Sequence, residues 1–249
     1  MKRSEYYLTA FSNLGFLPFL RFEFQKRAAH SAPFKLSSKK LKFPVRARPR
    51  SSDLGVFYQI FVFDEYRCLS GLASPGLILD LGANVGYSTA YFLSQFKGCS
   101  VIAVEPDPSN FEALRSNVSP YGGRVTIMQA AVWPRTEQIS LEHPGAGEEW
   151  GVRVKPSSEG TVTTVTIPDL LRISGQKRIS LLKIDIEGAE IDLFKSDTEW
   201  LESVDNIVIE LHGEEAEAAF FDKIDRSKFA ISKCDELTVC MRLFENEEK

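Results

Sequence analysis

Residues 77–105 read LILDLGANVGYSTAYFLSQFKGCSVIAVE, and the order of features in this stretch decides the fold. Residues 77–81 are an apolar run broken only by Asp80, as expected of a strand covered on both faces. A turn follows with glycines at 82 and 86, then a helix over 87–96, then a second apolar strand over 100–104 ending at Glu105. Two such strands joined through a helix pair in parallel, because a parallel pair needs a long crossover.

Downstream the alternation continues. Asp107 can cap a helix over 108–118 that has Pro108 in its first turn. Strands are predicted over 125–129, 161–167, 179–184 and 206–211, and helices from 169, over 189–195 and over 214–224. Residues 229–232 and 238–244 read as a closing hairpin across Asp235 and Glu236, and 134–160 as a hairpin or loop over a site. The fold class is therefore α/β, a doubly wound and mostly parallel sheet covered on both faces with one antiparallel edge.

In such a sheet ligands gather beyond the carboxyl ends of the strands. Asp80 places a carboxylate at the first of these ends, Gly82 permits close backbone approach, and Gly86 lets the next helix start close to the sheet. Glu105 can receive both hydroxyls of a ribose, and Gln129 offers a polar edge to a purine. The glycines lack the G-x-G-x-x-G spacing of a pyrophosphate cradle, and no phosphate loop with Lys-Ser/Thr is present. A cofactor with a ribose and an amino acid tail but no phosphate fits, and S-adenosyl-L-methionine answers that description.

A second cluster, KIDIEGAE, spans residues 183–190 at the end of the fourth long strand. Asp185 and Glu187 emerge where a transferred group and its acceptor would meet, and Gly188 again allows close approach. Glu190 falls in a first helical turn, where the helix dipole favours an acid.

Together these pieces resemble the FkbM-type S-adenosylmethionine-dependent methyltransferases. The resemblance rests on LILDLGANVGYSTAYF, VIAVEPDPSNFEALRSNV, QAAVW, TVTTVTIPDLL, LLKIDIEGAEIDLF and IVIELH, with RPRSSDLGVFYQIFVFDEY upstream, and covers about residues 46–244. It implies a seven-stranded Rossmann-like methyltransferase sheet with an antiparallel C-terminal hairpin, and O-methylation of a sugar, glycan precursor or other natural product. By that likeness Asp80, Gly82, Asn84, Gly86 and Glu105 belong to the cofactor site, and Lys183, Asp185, Glu187, Glu190 and His212 to the catalytic mouth. Two features depart from the pattern: the Phe-rich first thirty residues, and Ile167-Pro168 where Leu-Asp is common.

His212 directly follows a strand and is the residue type best suited to remove a hydroxyl proton near neutral pH. Asp185 or Glu187 can serve instead, or orient it, and Lys183 either holds an acceptor hydroxyl or pairs with the acids. The spacing demands no metal, although Asp185, Glu187 and His212 are hard ligands. Methylation of nitrogen or of a macromolecule is the alternative, but the Asn/Asp-Pro-Pro-aromatic pattern of many amino-methylating enzymes is absent after the fourth strand. A non-catalytic cofactor-binding scaffold is a further alternative, disfavoured by retention of both acidic clusters.

Composition bounds the rest. The chain has 249 residues, enough for one α/β domain with a full core. Its charge of −4 is asymmetric: residues 1–50 hold twelve Lys/Arg and two acids, residues 51–249 eighteen and thirty-two. A basic, aromatic-rich accessory segment at 1–50 and a methyltransferase domain at 51–249 are expected, with peripheral membrane contact through the segment. No stacking motif or recognition helix accompanies the charge, so no nucleic acid partner is expected. In the segment, short helical turns should break at Gly15 and Pro18, 35–50 should be extended or a short hairpin, and 53–69 should be one helix. Cysteines 68, 99, 234 and 240 match no disulfide framework or zinc pattern, and the apolar run after Lys2 and Arg3 is too interrupted for a secretory signal. A cytoplasmic setting, with peripheral contact at the inner membrane surface, follows as the expectation.

Overall fold

The computed structural model describes residues 3–28, 31–142, 153–156, 160 and 162–243. Two helices open the chain, α1 (Arg3–Leu14) and α2 (Phe16–Gln25), followed by a short antiparallel pair, β1 (Phe34–Leu36) and β2 (Val45–Ala47). The break falls at Gly15, with φ of 89°, but not at Pro18, which lies in the first turn of α2. Amides of a first helical turn have no partner within the helix, so a proline there loses nothing.

The single helix expected over 53–69 is instead three pieces. These are α3 (Asp53–Phe57), a π-helical turn (Tyr58–Val62) and a 3₁₀ turn (Glu65–Leu69) entered through Asp64 in the left-handed region at φ 61°. The left-handed residue ends helical propagation and re-aims the chain, which turns Glu65 inward to 9% exposure.

The Rossmann-like body follows: β3 (Leu77–Leu81), α4 (Tyr87–Gln95), β4 (Ser100–Val104), α5 (Pro108–Val118) and β5 (Val125–Met128). Asp107 caps α5 by accepting from the Asn110 amide at 2.8 Å. A small second sheet contains β6 (Ala131–Val132), β7 (Gln138–Glu142), β8 (Arg153–Pro156) and β9 (Val162–Val165). β7 and β8 form the hairpin expected between 134 and 160; its connection lies outside the described residues. The chain closes with α6 (Ile167–Ser174), β10 (Leu181–Ile184), α7 (Glu190–Lys195), β11 (Asn206–Glu210), α8 (Glu214–Lys223), β12 (Phe229–Cys234) and β13 (Leu237–Arg242). Pro168 sits in the first turn of α6, whose cap is Thr166.

The large sheet has seven strands in the order β12-β13-β11-β10-β3-β4-β5, with β13 antiparallel to both its neighbours and the other pairs parallel. All five residues of β3 are buried. Alternation sends Ile78, Val101, Ala103, Leu181 and Val208 to one face, beneath α4 and α5, and Leu79, Ile102, Leu182, Ile184 and Ile207 to the other, beneath α7 and α8. The first of these clusters also takes in Leu14, Phe22, Phe34, Leu36 and Val45, so residues before position 50 share the core of the sheet's helices. Since β4 lies on one side of β3 and β10 on the other, a crevice opens above their carboxyl ends.

Candidate functional site

Register sets the first contact of the site. Lys183 lies beside Asp80 across the β10–β3 pair, and its Nζ sits 3.3 Å from Asp80 Oδ1 and 3.6 Å from Asp185 Oδ2. It also donates to the carbonyls of Leu81 (3.3 Å) and Gly82 (2.6 Å). Asp80 is fully buried and accepts from Ser88 Oγ at 2.7 Å and Thr89 Oγ1 at 2.5 Å. Burial pulls the lysine's proton affinity down, but Asp80 and Asp185 outweigh it, and the ammonium is held above its ordinary range. Sequence placed Asp80 at the open mouth; the fold uses it to bind β10 to the base of α4.

The two glycine-bearing loops are pressed together. A Cβ on Gly82 would sit 1.8 Å from the carbonyl oxygen of Asp185, so the group that approaches this glycine closely is the facing loop. A Cβ on Gly86 would fall 2.6 Å from Leu114 Cδ1, which ties the start of α4 to α5. Gly188 has open space around it; what it needs is its φ of 99°, not close approach. Asn84 (φ 48°) and Glu187 (φ 53°) are both left-handed, one at the tip of each loop, and such residues gather where a site over-determines the backbone.

Between the loops lies a cavity of about 520 Å³ lined by Gly82, Asn84, Glu105, Asn110, Ala130–Val132 and Asp185–Glu187 among others. Glu105 accepts from the Asn84 amide (2.8 Å) and the Asp107 amide (3.0 Å), one on each oxygen, which leaves lone pairs on both. Burial pushes its carboxyl up to about 7. Asn84 Oδ1 is buried and has no hydrogen-bond partner among the described residues. An acid with spare acceptor capacity and an unsatisfied amide oxygen suit a ligand bearing hydroxyl and amino donors, the functional groups of S-adenosylmethionine. Gln129 is exposed and does not line this cavity; Ala130, Ala131 and Val132 form that wall instead.

A second cavity of about 950 Å³ shares Gly82, Asn84, Asp185 and Glu187 with the first. It holds His212, whose Nδ1 is 3.2 Å from Glu190 Oε1. The other ring nitrogen lies 3.5 Å from Glu187 Oε2, 3.7 Å from Glu210 Oε1 and 3.9 Å from Asp185 Oδ1. Glu190, with no exposed surface, also accepts from the amides of Ile186 (3.0 Å) and Gly188 (2.8 Å). Burial lowers the imidazole's proton affinity, but the hydrogen bond to Glu190 and the charges of Glu190, Glu187 and Asp185 carry it up to about 9. His212 is therefore mostly an imidazolium at neutral pH. Asp185, Glu187 and His212 also offer ligand atoms within 4.8 Å of one another, a set able to hold a hard cation. A cation would have to displace the ring's proton.

Two acids that sequence reasoning missed complete the cluster. Glu65, 9% exposed, accepts from Gln59 Nε2 at 2.8 Å; burial and then Asp185 push it up to about 8. Glu210 is pushed up to about 7 by burial and then by Asp185. Glu210 had a signal, a carboxylate ending the strand before His212. Glu65 had none, because the left-handed turn at Asp64 brings it in. A third, outer cavity of about 1590 Å³ shares Val56, Gln59, Glu65 and Glu236 with the second, so it adjoins the second as the second adjoins the first.

A seven-stranded sheet of this order, with a glycine turn after its central strand, an acid ending the next and a penultimate antiparallel strand, defines a Rossmann-like S-adenosylmethionine-dependent methyltransferase. Within that class the chain belongs to the FkbM methyltransferase family, whose domain matches residues 80–235. It is 23% identical to Methyltransferase 1 of Beauveria bassiana, over 76% of this chain and 87% of that protein. It is 24% identical to the hexuronic acid methyltransferase AglP of Haloferax volcanii, over 55% of this chain and 56% of that protein. It is 26% identical to the 2-O-methyltransferase NoeI of Sinorhizobium fredii, over 50% of this chain and 58% of that protein. The chain thus spans little more than half the length of the last two.

Proposed function

We propose that this methyltransferase acts on a hydroxyl oxygen of a sugar, glycan precursor or other natural product. One observation carries the reading: the cavity suited to the donor and the cleft beyond it meet at Asp185 and Glu187, within reach of His212. S-adenosylmethionine supplies a methyl group already activated on a sulfonium, so the protein's task is alignment, exclusion of water and removal of one proton. Gly82, Asn84, Gly86 and Glu105 shape and line the donor site. Glu190, fixed by two amides, holds one ring nitrogen of His212 and leaves the other facing the cleft as the base. Asp185 and Glu187 orient the acceptor and the ring. Glu65 and Glu210, partly protonated near neutral pH, can each donate or accept a hydrogen bond from an acceptor. Lys183 acts by pairing with Asp80 and Asp185. The setting that goes with this reading is cytoplasmic, with residues 1–50 in peripheral contact with the inner membrane surface; no described helix is long and apolar enough to cross a membrane.

The test is transfer of a labelled methyl group from S-adenosylmethionine across a panel of glycans, nucleotide sugars and lipid-linked sugars, with mass analysis of the products. A methyl ether on a sugar is expected. Label found only on nitrogen, protein or nucleic acid would overturn the acceptor class.

A further inference from the structure

In α2, Phe16, Leu17, Leu20 and Phe24 fall within an arc of about 100°, and all four side chains are exposed, at 61%, 63%, 49% and 71%. The opposite side of the same helix is already used, with Phe22 buried and Phe19 packed into the core. α1 extends the exposed stripe through Leu8 (71% exposed) and Phe11 (47%), and Phe11 meets Phe16 edge to face across the Gly15 junction. A water-soluble surface rarely leaves this many large apolar side chains side by side.

The surroundings of the stripe are basic. Arg21 is exposed in α2, about 40° beyond the edge of the stripe. Lys39 is exposed at the α1–α2 junction, its amide bonded to the Leu14 carbonyl and its Nζ to that of Ser12. Twelve Lys/Arg against two acids in residues 1–50 give that segment +10, while the remainder of the chain carries −14. A second copy seated patch on patch would bring two such basic segments together. An anionic lipid surface attracts the segment and repels the body, which fixes an orientation as well as an affinity.

We infer that α1 and α2 form an interfacial docking face that inserts Leu8, Phe11, Phe16, Leu17, Leu20 and Phe24 among the headgroups of an anionic bilayer. The inference rests on the peripheral setting proposed above and sharpens it from a charge to a surface. The same helix reaches the site: Thr9 of α1 and Phe63 line the outer cavity, and Tyr6 of α1 stacks on Tyr58 of its wall at 5.4 Å. α1 therefore carries docking side chains on one side and part of the outer cavity's wall on another.

The test is flotation of the full-length protein with vesicles of phosphatidylcholine alone or with about 30% phosphatidylglycerol, comparing wild type with Leu17→Glu/Leu20→Glu and with Arg21→Glu/Lys39→Glu. Wild type is expected to float with the anionic vesicles, less so as salt is raised. The apolar double variant should bind at least about tenfold more weakly and the charge-reversed one at least about twenty-five-fold, at roughly fivefold for each basic residue lost. S-adenosylmethionine affinity of both should match wild type, since all four side chains are exposed and remote from the donor cavity, and both should still unfold cooperatively, the charge-reversed one somewhat earlier because Lys39 Nζ no longer donates to the Ser12 carbonyl. Anionic-vesicle binding that survives Leu17→Glu/Leu20→Glu overturns the docking face while leaving a purely electrostatic peripheral contact standing. Absence of binding by wild type overturns both. A wild-type dimer that the apolar variant converts to monomer, without vesicle binding, assigns the stripe to a second copy instead.

Discussion

Glu105 takes one backbone amide on each oxygen, yet burial holds its carboxyl up to about 7, so near neutral pH it is divided between acid and carboxylate. Hydroxyl donors from a bound ribose favour the carboxylate, and binding must then release the proton. S-adenosylmethionine affinity is accordingly expected to rise with pH through about 7, and calorimetry from about pH 5.5 to 8.5 checks it; a flat profile would remove Glu105 from the site. Glu105→Ala should weaken binding by at least about tenfold. His212 has the opposite sign. Its pKa is raised from 6.5 to about 9, so its ion pairing stabilises the fold fully below about 6.5 and is lost as pH rises through about 9. As base it must be neutral, so kcat/KM should climb with pH toward about 9, and Glu190→Gln should shift that limb to lower pH because the carboxylate bonded to the ring is gone. His212→Ala should cost about a hundredfold or more in kcat while sparing donor affinity. Turnover unchanged in His212→Ala would assign the proton to another group.

At the scale of elements, the β3–turn–α4–β4 unit and the 183–190 loop act as a pair, because Gly82 has no room for a side chain against Asp185. Gly82→Ala combines a left-handed φ of 74° with a backbone clash, and should destabilise by more than the roughly 1–3 kcal/mol of strain alone. Gly188→Ala, with open space around it, should cost only the strain; denaturant titration of the two variants side by side is the check. These elements were legible in sequence because their signals are local: buried apolar runs of strand length, a proline-and-aspartate helix start, and acids at strand ends. The elements that were not legible have signals that mislead. α2 reads as broken at Pro18, yet that proline falls in the first helical turn, where it costs no hydrogen bond, and most of the helix's large apolar side chains face solvent. The helix expected over 53–69 has apolar residues throughout, and its interruption depends on one left-handed backbone at Asp64. Glu65 went unseen for that reason, and Gln129 was assigned inward although the strand ends one residue earlier and leaves it exposed.

On the scale of the whole molecule, residues before and after position 50 share one apolar cluster in which Leu14, Phe22 and Val45 join Phe57, Tyr87 and Phe92. Hydrogen bonds cross the same boundary: Asn117 Oδ1 accepts from the Arg46 amide at 2.7 Å, and Tyr87 Oη donates to its carbonyl at 2.8 Å. Deleting residues 1–45 is thus expected to expose core and to broaden or abolish cooperative thermal unfolding, whereas a clean transition near that of the full chain would show the cluster to be dispensable. The three cavities adjoin in order, donor side, carboxylate-ringed histidine and outer cleft. The claim that this site carries methyl transfer to oxygen is tested most directly by a single turnover with labelled S-adenosylmethionine and a hydroxylated acceptor, in wild type and His212→Ala, with the methylated atom located by mass analysis. The account predicts label on an acceptor oxygen in wild type and its near loss in His212→Ala at undiminished donor binding. Label on nitrogen, or equal label in both proteins, would contradict it.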